Sequence, residues 1–319
     1  MPMKDFRVAK SFGYGSSDWM FLAWWNVIQD IQNCSLMIIK KFIKFIICGA
    51  MVCMALQGCN KTKVIQKGSI NSLHTDTTVA LIENNQESPN CHVTLDFMYL
   101  QPSSTEDSLS MDINKILQRT TFGTDFQNMP PQTAITTAQK QYITTYRKDL
   151  LSFYEADLKS GIKKDEMPPW YNHEYNIVAE LSLSKDSIYN YTVSNYQYTG
   201  GAHPNTFASW TNINANTGKE LKRADVFTDG SDKAIIQLIE KHLLSEVNNR
   251  LETDTITTIQ GLWDNGVLLN VDLYVPENFL ITDDGVKFLY NRYDIAPYVM
   301  GDFELNIPYA EIENLMKIK

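Results

Sequence analysis

The residues best suited to chemistry lie in the stretch 198–204, which reads Tyr-Thr-Gly-Gly-Ala-His-Pro. Its histidine, His203, has an ordinary pKa of about 6.5, which suits proton transfer near neutral pH. Gly200 and Gly201 permit backbone angles that a Cβ would forbid. Pro204 favours an extended conformation at the residue before it. The spacing therefore predicts a stiff corner between two strands that presents an imidazole.

Two roles are open for His203. It could act as a general acid or base, with Asp294 orienting its ring as carboxylates do in catalytic triads. No recognisable nucleophile motif accompanies this pair in the sequence. Alternatively, the imidazole could hydrogen-bond a nearby carbonyl or carboxylate and so lock the corner, as polar groups in packed regions usually do.

Other reaction classes find less support. A metal centre needs three or four converging ligands. His173, Glu174 and His203 could be combined, but the sequence has no HxxxH or HxH spacing. No pair of carboxylates stands out for glycoside cleavage. We therefore predict neither a metal nor a cofactor.

Aromatic residues surround the corner in sequence. They could stack on sugar rings, or they could be core and ordinary sheet surface. The set is Trp170, Tyr171, Tyr189, Tyr191, Tyr196, Tyr198 and Trp210. Further along, Arg292 and Tyr293 precede Asp294 and are most simply a solvated face or a local ion pair.

The elements that must position these residues follow from hydrophobic periodicity. Alternating patterns predict strands at 91–100, 175–184, 187–198 and 206–214, a hairpin over 279–290 and a strand at 303–307. Helical patterns cover 112–119, 133–159 and 231–250, with Ser231 as an N-cap, and Pro308 opens a last helix. Strands clustered without strict βαβ alternation predict an α+β fold, an antiparallel sheet with helices packed on one side.

The N-terminal region has the pattern of an export signal. Three lysines precede a short apolar run at 45–56, which is too short to span a bilayer comfortably. The run ends in Leu-Gln-Gly-Cys, similar to a bacterial lipobox, so we predict a lipoprotein signal peptide at 37–58 and lipidation of Cys59. An uncleaved anchor helix is the alternative. The protein is then exported, lipid-anchored to the bacterial cell envelope and periplasm-facing.

Two segments flank that signal. Residues 1–36 are interpreted as a spurious or disordered extension, because a signal peptide normally begins at its own methionine, here Met37. Residues 59–90 lack periodicity and are predicted to be a flexible tether.

The charge of the exported part limits its partners. From residue 59 onward, 22 basic and 34 acidic residues give a formal charge of −12. Such a chain disfavours nucleic acid and attracts a basic partner. Cys91 is the single cysteine after Cys59, and we expect it to pack as a small apolar residue in a strand.

Two separated motifs carry a resemblance. The stretch 198–204, followed by Tyr-Asp-Ile-Ala-Pro-Tyr-Val-Met-Gly at 293–301, resembles the RsiV/PdaC-type C-terminal domain family over about residues 170–316. The segment before it resembles the companion domain that commonly precedes it. The resemblance implies an α+β companion domain at 91–170 and a C-terminal domain at 171–319. Asp294 stands where the family usually has glutamate.

The resemblance implies an extracytoplasmic module. One branch of the family binds lysozyme, and another accompanies a peptidoglycan deacetylase whose catalytic domain is separate. We therefore expect a non-catalytic binding module for peptidoglycan fragments or a lysozyme-like basic protein. An envelope glycan hydrolase using His203 and Asp294 is the alternative. The candidate binding or catalytic residues are Tyr198, Gly200, Gly201, His203, Pro204, Tyr293, Asp294 and Tyr298.

Overall fold

The computed structural model describes residues 68–184, 186–269 and 271–318. The predicted N-terminal extension, the signal peptide and the lipidated Cys59 lie outside the described residues.

A six-stranded sheet forms the larger part of the fold. Its strands follow one another in space in chain order. They are β1 (Ser69–Ala80), β2 (Asn90–Gln101), β3 (His173–Leu183), β4 (Ile188–Tyr198), β5 (Asn205–Asn214) and β6 (Glu220–Leu221). Neighbours are antiparallel except β2 and β3, which run parallel. The α+β class is confirmed, while the sheet is mixed rather than fully antiparallel.

Two helices connect the parallel pair, because parallel neighbours cannot be joined by a tight turn. They are α1 (Ser108–Phe122) and α2 (Pro131–Ser160). Pro131 opens α2 at a position where its missing N–H costs nothing, and Gly161 ends it in the left-handed region at φ 95°. Alternate residues of β2, such as Val93 and Leu95, share a buried core with residues of these helices.

The predicted tether at 59–90 is wrong from residue 69 onward. β1 occupies residues 69–80 and pairs with β2 along its whole length. The loop that follows is also held, since the N–H of Leu81 donates to the carbonyl of Pro89 and the Leu81 side chain is buried. β1 contains few apolar residues because one of its faces is exposed. Its composition therefore gave no indication that it is a strand paired with β2.

A second core lies around a three-stranded antiparallel sheet. Its strands are β7 (Phe279–Ile281), β8 (Gly285–Tyr290) and β9 (Phe303–Pro308), in that spatial order. The helices of this part are α3 (Arg223–Val226), α4 (Asp232–Arg250), α5 (Ile259–Asp264) and α6 (Tyr309–Ile312). Ile235, Ile239, Leu243 and Val247 of α4 pack into this core. Short 3₁₀ turns complete the fold at Thr124–Phe126, Lys164–Glu166, Pro169–Tyr171, Tyr298–Met300 and Glu313–Leu315.

Ser231 occupies the predicted N-cap position of α4 but does not cap it. Its backbone is itself helical, at φ −75° and ψ −11°, and its side chain accepts no hydrogen bond from the helix. A capping side chain normally projects from an extended backbone. The N-terminus of α4 is therefore located correctly by sequence, while the capping role predicted for the serine is wrong.

The boundary between the two cores also differs from the one predicted at residue 170. β3, β4 and β5 are hydrogen-bonded into one sheet with β2. Their inward residues, such as Ile177, Tyr191 and Ile213, belong to the first core. Because strands of one sheet cannot be assigned to separate domains, the division falls after β6.

Asp107 caps α1 and makes its contribution to stability dependent on pH. Its side chain is buried and accepts hydrogen bonds from the N–H of Ser103 at 2.9 Å and from the N–H of Ser110 at 3.1 Å. Burial by itself raises the pKa of this carboxyl, but the bonds from Ser103 and Ser110 outweigh it and hold the pKa below its usual value. The stabilisation is therefore complete above the unfolded pKa of about 3.9 and is lost as the pH falls through the folded pKa.

We expect Asp107→Ala to lower the free energy of unfolding by about 1–2 kcal/mol at pH 7, as lost caps do. The difference from the parent should shrink as the pH falls below about 4, because the carboxylate of the parent is then protonated. Urea denaturation at both pH values measures it. Asp107→Asn, which keeps an acceptor but cannot ionise, should lack the pH dependence, and a gap that stays constant with pH would contradict this role of the carboxylate.

Candidate functional site

The corner predicted between two strands is present between β4 and β5. Gly200 has φ 73°, and a Cβ there would lie under 3.0 Å from the backbone of Pro169 and Trp170. Gly201 has no such restriction, since the nearest atom to its added Cβ is 3.9 Å away. The first glycine therefore lets the corner lie directly on the backbone of the segment before β3.

His203 projects from this corner and contacts two tyrosines. Its ring stacks on the ring of Tyr298, with centroids 3.8 Å apart and planes 18° from parallel. Its Nε2 lies 3.4 Å from the hydroxyl of Tyr293, and its Nδ1 lies 3.2 Å from the carbonyl of Pro204. The histidine is exposed, so stacking rather than burial orients it.

Asp294, the expected partner of His203, has a different role. Its Oδ2 accepts a hydrogen bond from the N–H of Asn291 at 2.8 Å, and its own N–H donates to the carbonyl of Asn291 at 3.0 Å. The carboxylate thus closes a turn in which Tyr293 adopts φ 69°. A tyrosine in the left-handed region is uncommon and is held there by its surroundings. The predicted catalytic pair is not formed in this structure, because the turn uses the carboxylate.

Arg292 holds the cluster together. Its guanidinium carbon lies over the face of the Tyr298 ring, 4.7 Å from the ring centroid, in a cation–π contact. The same guanidinium donates a hydrogen bond to the Tyr298 hydroxyl at 3.1 Å. It also donates to the hydroxyl of Thr206 on β5 at 2.8 Å. We call His203, Arg292, Tyr293 and Tyr298 the corner cluster. Of the two interpretations of Arg292, a solvated face or a local ion pair, the structure has the ion pair, since its Nε lies 3.9 Å from a carboxylate oxygen of Asp302. No signal in the sequence indicates its contact with a ring six residues away.

A shallow open cavity of about 220 Å³ adjoins the corner cluster. Thr206 and Asp302 line it, and both contact Arg292. The remaining lining is mostly amide, hydroxyl and aromatic, from Asn176, Val178, Ser194, Asn195, Tyr196, Phe207 and Ala208. Phe207 is about half exposed. Burial, followed by the nearby Glu174, raises the pKa of Tyr196, so this hydroxyl stays protonated and can donate a hydrogen bond.

The sequence-selected aromatic residues divide between core and surface, as one of the two interpretations expected. Tyr171, Tyr189 and Tyr191 are buried. Burial and a hydrogen bond to Asp157 raise the pKa of Tyr171 to about 12. Trp170 is half exposed beside Gly200, and Tyr196, Tyr198 and Trp210 are half buried. Trp170 lies beside the corner and Tyr196 lines the adjoining cavity, while the three buried tyrosines belong to the first core.

Cys91 is buried in β2, as expected, and burial raises the pKa of its thiol to about 11. In the part of the chain that the structure describes, no group of three or more His, Cys, Asp or Glu side chains is arranged to hold a metal ion.

None of the helices seen over residues 68–318 combines the length and the apolar character needed to cross a membrane.

Comparisons with known proteins agree with this division of the chain. Residues 93–206 match the family model described as deacetylase PdaC, and residues 224–310 match the model of a protein family of unknown function, DUF3298. The corner thus falls in the first match, and Arg292, Tyr293 and Tyr298 fall in the second. No curated protein matches the chain.

Two solved structures show the same fold. A DUF3298 family member from Bacteroides fragilis is 28% identical, with a TM-score of 0.69, and the alignment covers 78% of this chain and 93% of that one. A DUF3298 family protein from Pseudomonas aeruginosa is 16% identical, with a TM-score of 0.53, covering 78% and 95%. The chain thus matches the PdaC model and then the DUF3298 model, and the corner cluster is built from residues of both matched segments.

Proposed function

We propose that this chain is a non-catalytic binding module of a bacterial envelope lipoprotein, and that the corner cluster binds peptidoglycan fragments. One observation carries the proposal. Tyr293, with 55% of its surface exposed, adjoins the stacked rings of His203 and Tyr298. Exposed aromatic rings held in place present flat apolar faces on which a sugar ring can stack.

The cavity next to these rings supports a glycan ligand. Amide and hydroxyl groups from Asn176, Ser194, Asn195 and Thr206 line it, and such groups hydrogen-bond sugar hydroxyls. An aromatic wall with a few polar groups is the usual composition of a small-molecule site. Its small volume and open form fit the end or edge of a glycan rather than a whole chain enclosed within it.

The proposed location rests on the sequence of residues 37–59. A signal peptide ending in a lipidated cysteine would place the module at the membrane surface, facing the peptidoglycan. The acyl chains would hold it there, at about 0.8 kcal/mol for each buried CH₂ group.

A lysozyme-like basic protein is the second candidate ligand. The formal charge of −12 from residue 59 onward favours a basic partner. Val299 is 87% exposed beside Tyr298, and the corner cluster contributes tyrosines and an arginine, residue types enriched at protein interfaces. Binding driven by net charge weakens steeply with salt, whereas stacking on a neutral sugar does not.

The hydrolase alternative has weaker support. It needs His203 oriented by Asp294, and the carboxylate of Asp294 is used by its turn. We therefore expect that neither the parent nor the His203→Ala variant hydrolyses glycan, and that the variant still folds. Release of soluble sugar by the parent that His203→Ala abolished would favour the hydrolase instead.

We expect Tyr293→Ala and Tyr298→Ala each to weaken binding of soluble muropeptides by about 5- to 30-fold, the equivalent of about 1–2 kcal/mol for one lost stacking contact. Calorimetric titration of the full chain in mild detergent measures this. Phe153→Ala removes another exposed aromatic side chain, 65% exposed on α2, and should leave the affinity unchanged.

Repeating the titration with lysozyme at low and moderate salt separates the candidates. If the chain binds lysozyme tightly, with an affinity that falls as the salt concentration rises, and does not bind muropeptides, then the basic protein and not the glycan is the ligand. Failure of the unmodified chain to bind either ligand would sink the proposed function.

A further inference from the structure

β1 forms one edge of the large sheet, and among the residues that the structure describes this edge is long and no strand pairs with it. Among the described residues it pairs with β2 alone. Its twelve residues, Ser69–Ala80, contain no lysine, arginine or proline. Proteins usually blunt exposed edges with such residues, with bulges, or by keeping the edge strand short. The opposite edge of this sheet follows that rule, since β6 has two residues and lies between Lys219 and Lys222.

The ladder shows which backbone groups of β1 face outward. The N–H of Leu81 donates to the carbonyl of Pro89, and the register of β1 with β2 continues from that pair without a break. In an antiparallel pair, successive residues alternate between bonding the neighbouring strand and pointing away from it. Odd-numbered residues of β1 therefore bond β2, and even-numbered residues direct their N–H and C=O groups to the free edge.

Two of those outward groups are already occupied, at the ends of the strand. The guanidinium of Arg147 donates to the carbonyl of Ala80 at 3.1 and 3.2 Å, and the side chain of Asn71 accepts from the N–H of Ser72 at 2.9 Å. Between them, in the part of the chain that the structure describes, no protein group meets the outward backbone groups of His74, Asp76 and Thr78.

Two of these residues, His74 and Asp76, carry ionisable side chains that contact β2. His74 Nδ1 lies 2.7 Å from an oxygen of Asp96, and His92 Nε2 lies 2.8 Å from an oxygen of Asp76. All four lie on the exposed face of β1 and β2. On β1 itself, a histidine and an aspartate therefore stand two residues apart on one face, next to free backbone groups.

We propose that β1 pairs antiparallel with β1 of a second copy of this chain, with the two-fold axis passing at Thr75. This register places His74 opposite Asp76 of the second copy, and Asp76 opposite His74 of the second copy. Across the four central strands, one row then reads Asp96, His74, Asp76 of the second copy and Thr94 of the second copy, so His74 lies between two carboxylates. Opposite pairs of this kind stabilise a sheet.

Other registers are less favourable. An axis at Asp76 places two carboxylates opposite each other, which destabilises an antiparallel pair. An axis at Thr77 places His74 opposite Ala80 and Asp76 opposite Thr78 of the second copy, so neither ionisable side chain meets an opposite charge. The pattern is self-complementary, as the contact surface of a two-fold dimer must be. A second copy therefore fits this edge better than an unrelated strand does.

A single cysteine tests both the dimer and its register. With the axis at Thr75, the two copies of that residue form a pair without mutual hydrogen bonds, with Cα atoms about 4.5 Å apart. This separation lies within the range that a disulfide spans. The full chain in mild detergent, with Cys34, Cys48, Cys53 and Cys59 replaced by serine, is the background. Cys91 stays, because it is buried.

We expect Thr75→Cys to form a reducible dimer under mild oxidation on a non-reducing gel. Thr77→Cys lies on the same face, but its two copies are four residues out of register, roughly 13 Å along the strands, so it should form no disulfide and should run as a monomer on the same gel. Equal cross-linking of both variants, or of neither, would overturn the proposed pairing.

Self-association of the unmodified chain is the independent measurement. Sedimentation should show a dimer, and Asp76→Lys, which sets a cation opposite His74 of the second copy, should weaken it at least tenfold. Asp76→Glu keeps the charge and should dimerise as the parent does. At about 100 μM protein, a dimer with a dissociation constant of about 10 μM would be mostly formed. A parent that stays monomeric at that concentration overturns the inference. Tyr298→Ala should dimerise normally, which separates this surface from the ligand site.

Discussion

Gly200→Ala should lower the free energy of unfolding by about 3–5 kcal/mol, because the new methyl group has no space and the backbone angle is unfavourable. An added Cβ would lie under 3.0 Å from the Cα and nitrogen of Trp170 and from the carbonyl carbon of Pro169. These are backbone atoms, which cannot rotate aside as a side chain could. The corner or the segment before β3 must shift to accept the substitution.

Gly201→Ala is the matched control, one residue away and with the same chemical change. The nearest atom to its added Cβ is 3.9 Å distant and its φ is not positive, so we expect a change within about 1 kcal/mol. Urea denaturation followed by circular dichroism compares the two variants. Similar stabilities for both would show that the corner is loosely held and would remove the basis for a fixed position of His203.

Asn212→Leu should cost a comparable amount, about 3–5 kcal/mol, because one buried amide joins the two sheets. Its Nδ2 donates to the carbonyl of Phe279 at 2.8 Å, and its Oδ1 accepts from the N–H of Ile281 at 2.8 Å. The residue is 1% exposed. Leucine is similar in size but bonds neither group, and each backbone group left unpaired in a buried site costs about 1–3 kcal/mol.

Asn216→Leu provides the control for that substitution. Asn216 is exposed in the turn after β5, and the change there should alter stability by no more than about 0.5 kcal/mol. Following the unfolding of Asn212→Leu with two probes, one in each core, adds a second result. We expect the two transitions to separate, since a bond between the cores is lost, and coincident transitions would assign the coupling to other contacts.

Asparagine side chains complete the junction elsewhere along β5. Asn278 accepts from the N–H of Trp210 and donates to the carbonyl of Ala208, and Asn291 accepts from the N–H of Ala208. These amides satisfy backbone groups of β5 that no neighbouring strand reaches. They also fix the turn at 291–294 against the corner, and so set the position of Tyr293 relative to His203.

Binding at such a junction would connect the two domains mechanically. His203 comes from the PdaC match, whereas Arg292, Tyr293 and Tyr298 come from the DUF3298 match. A ligand that contacts both sides stabilises their present arrangement by mass action. Stability measured with and without muropeptide therefore reports on the same contacts as the titration does.

Local structure followed closely from the sequence. Period-two alternation located β2, β3, β4, β5 and the hairpin of β7 and β8, and helical periodicity located α1, α2 and α4. These patterns are readable because each element buries one face, and the burial leaves its period in the residues themselves. β1 was not predicted, because serines and threonines occupy many positions on both of its faces and the apolar alternation is weak. Its pairing with β2, rather than its own sequence pattern, stabilises it as a strand.

The sequence also singled out the two motifs that form the site, through the glycines and histidine of the corner and the segment 293–301. It determined by itself that an imidazole would stand at a corner between two strands, while the exposure of that imidazole is a result of the tertiary structure. Which groups meet that imidazole was decided only by the tertiary structure. His203 and Tyr293 are 90 residues apart, and their contact depends on how one core packs on the other. This packing stacks Tyr298 on the histidine with Arg292 against the Tyr298 ring, while Asp294 bonds within its own turn. The sequence could not show these contacts, because contacts between distant residues leave no periodic pattern in either segment.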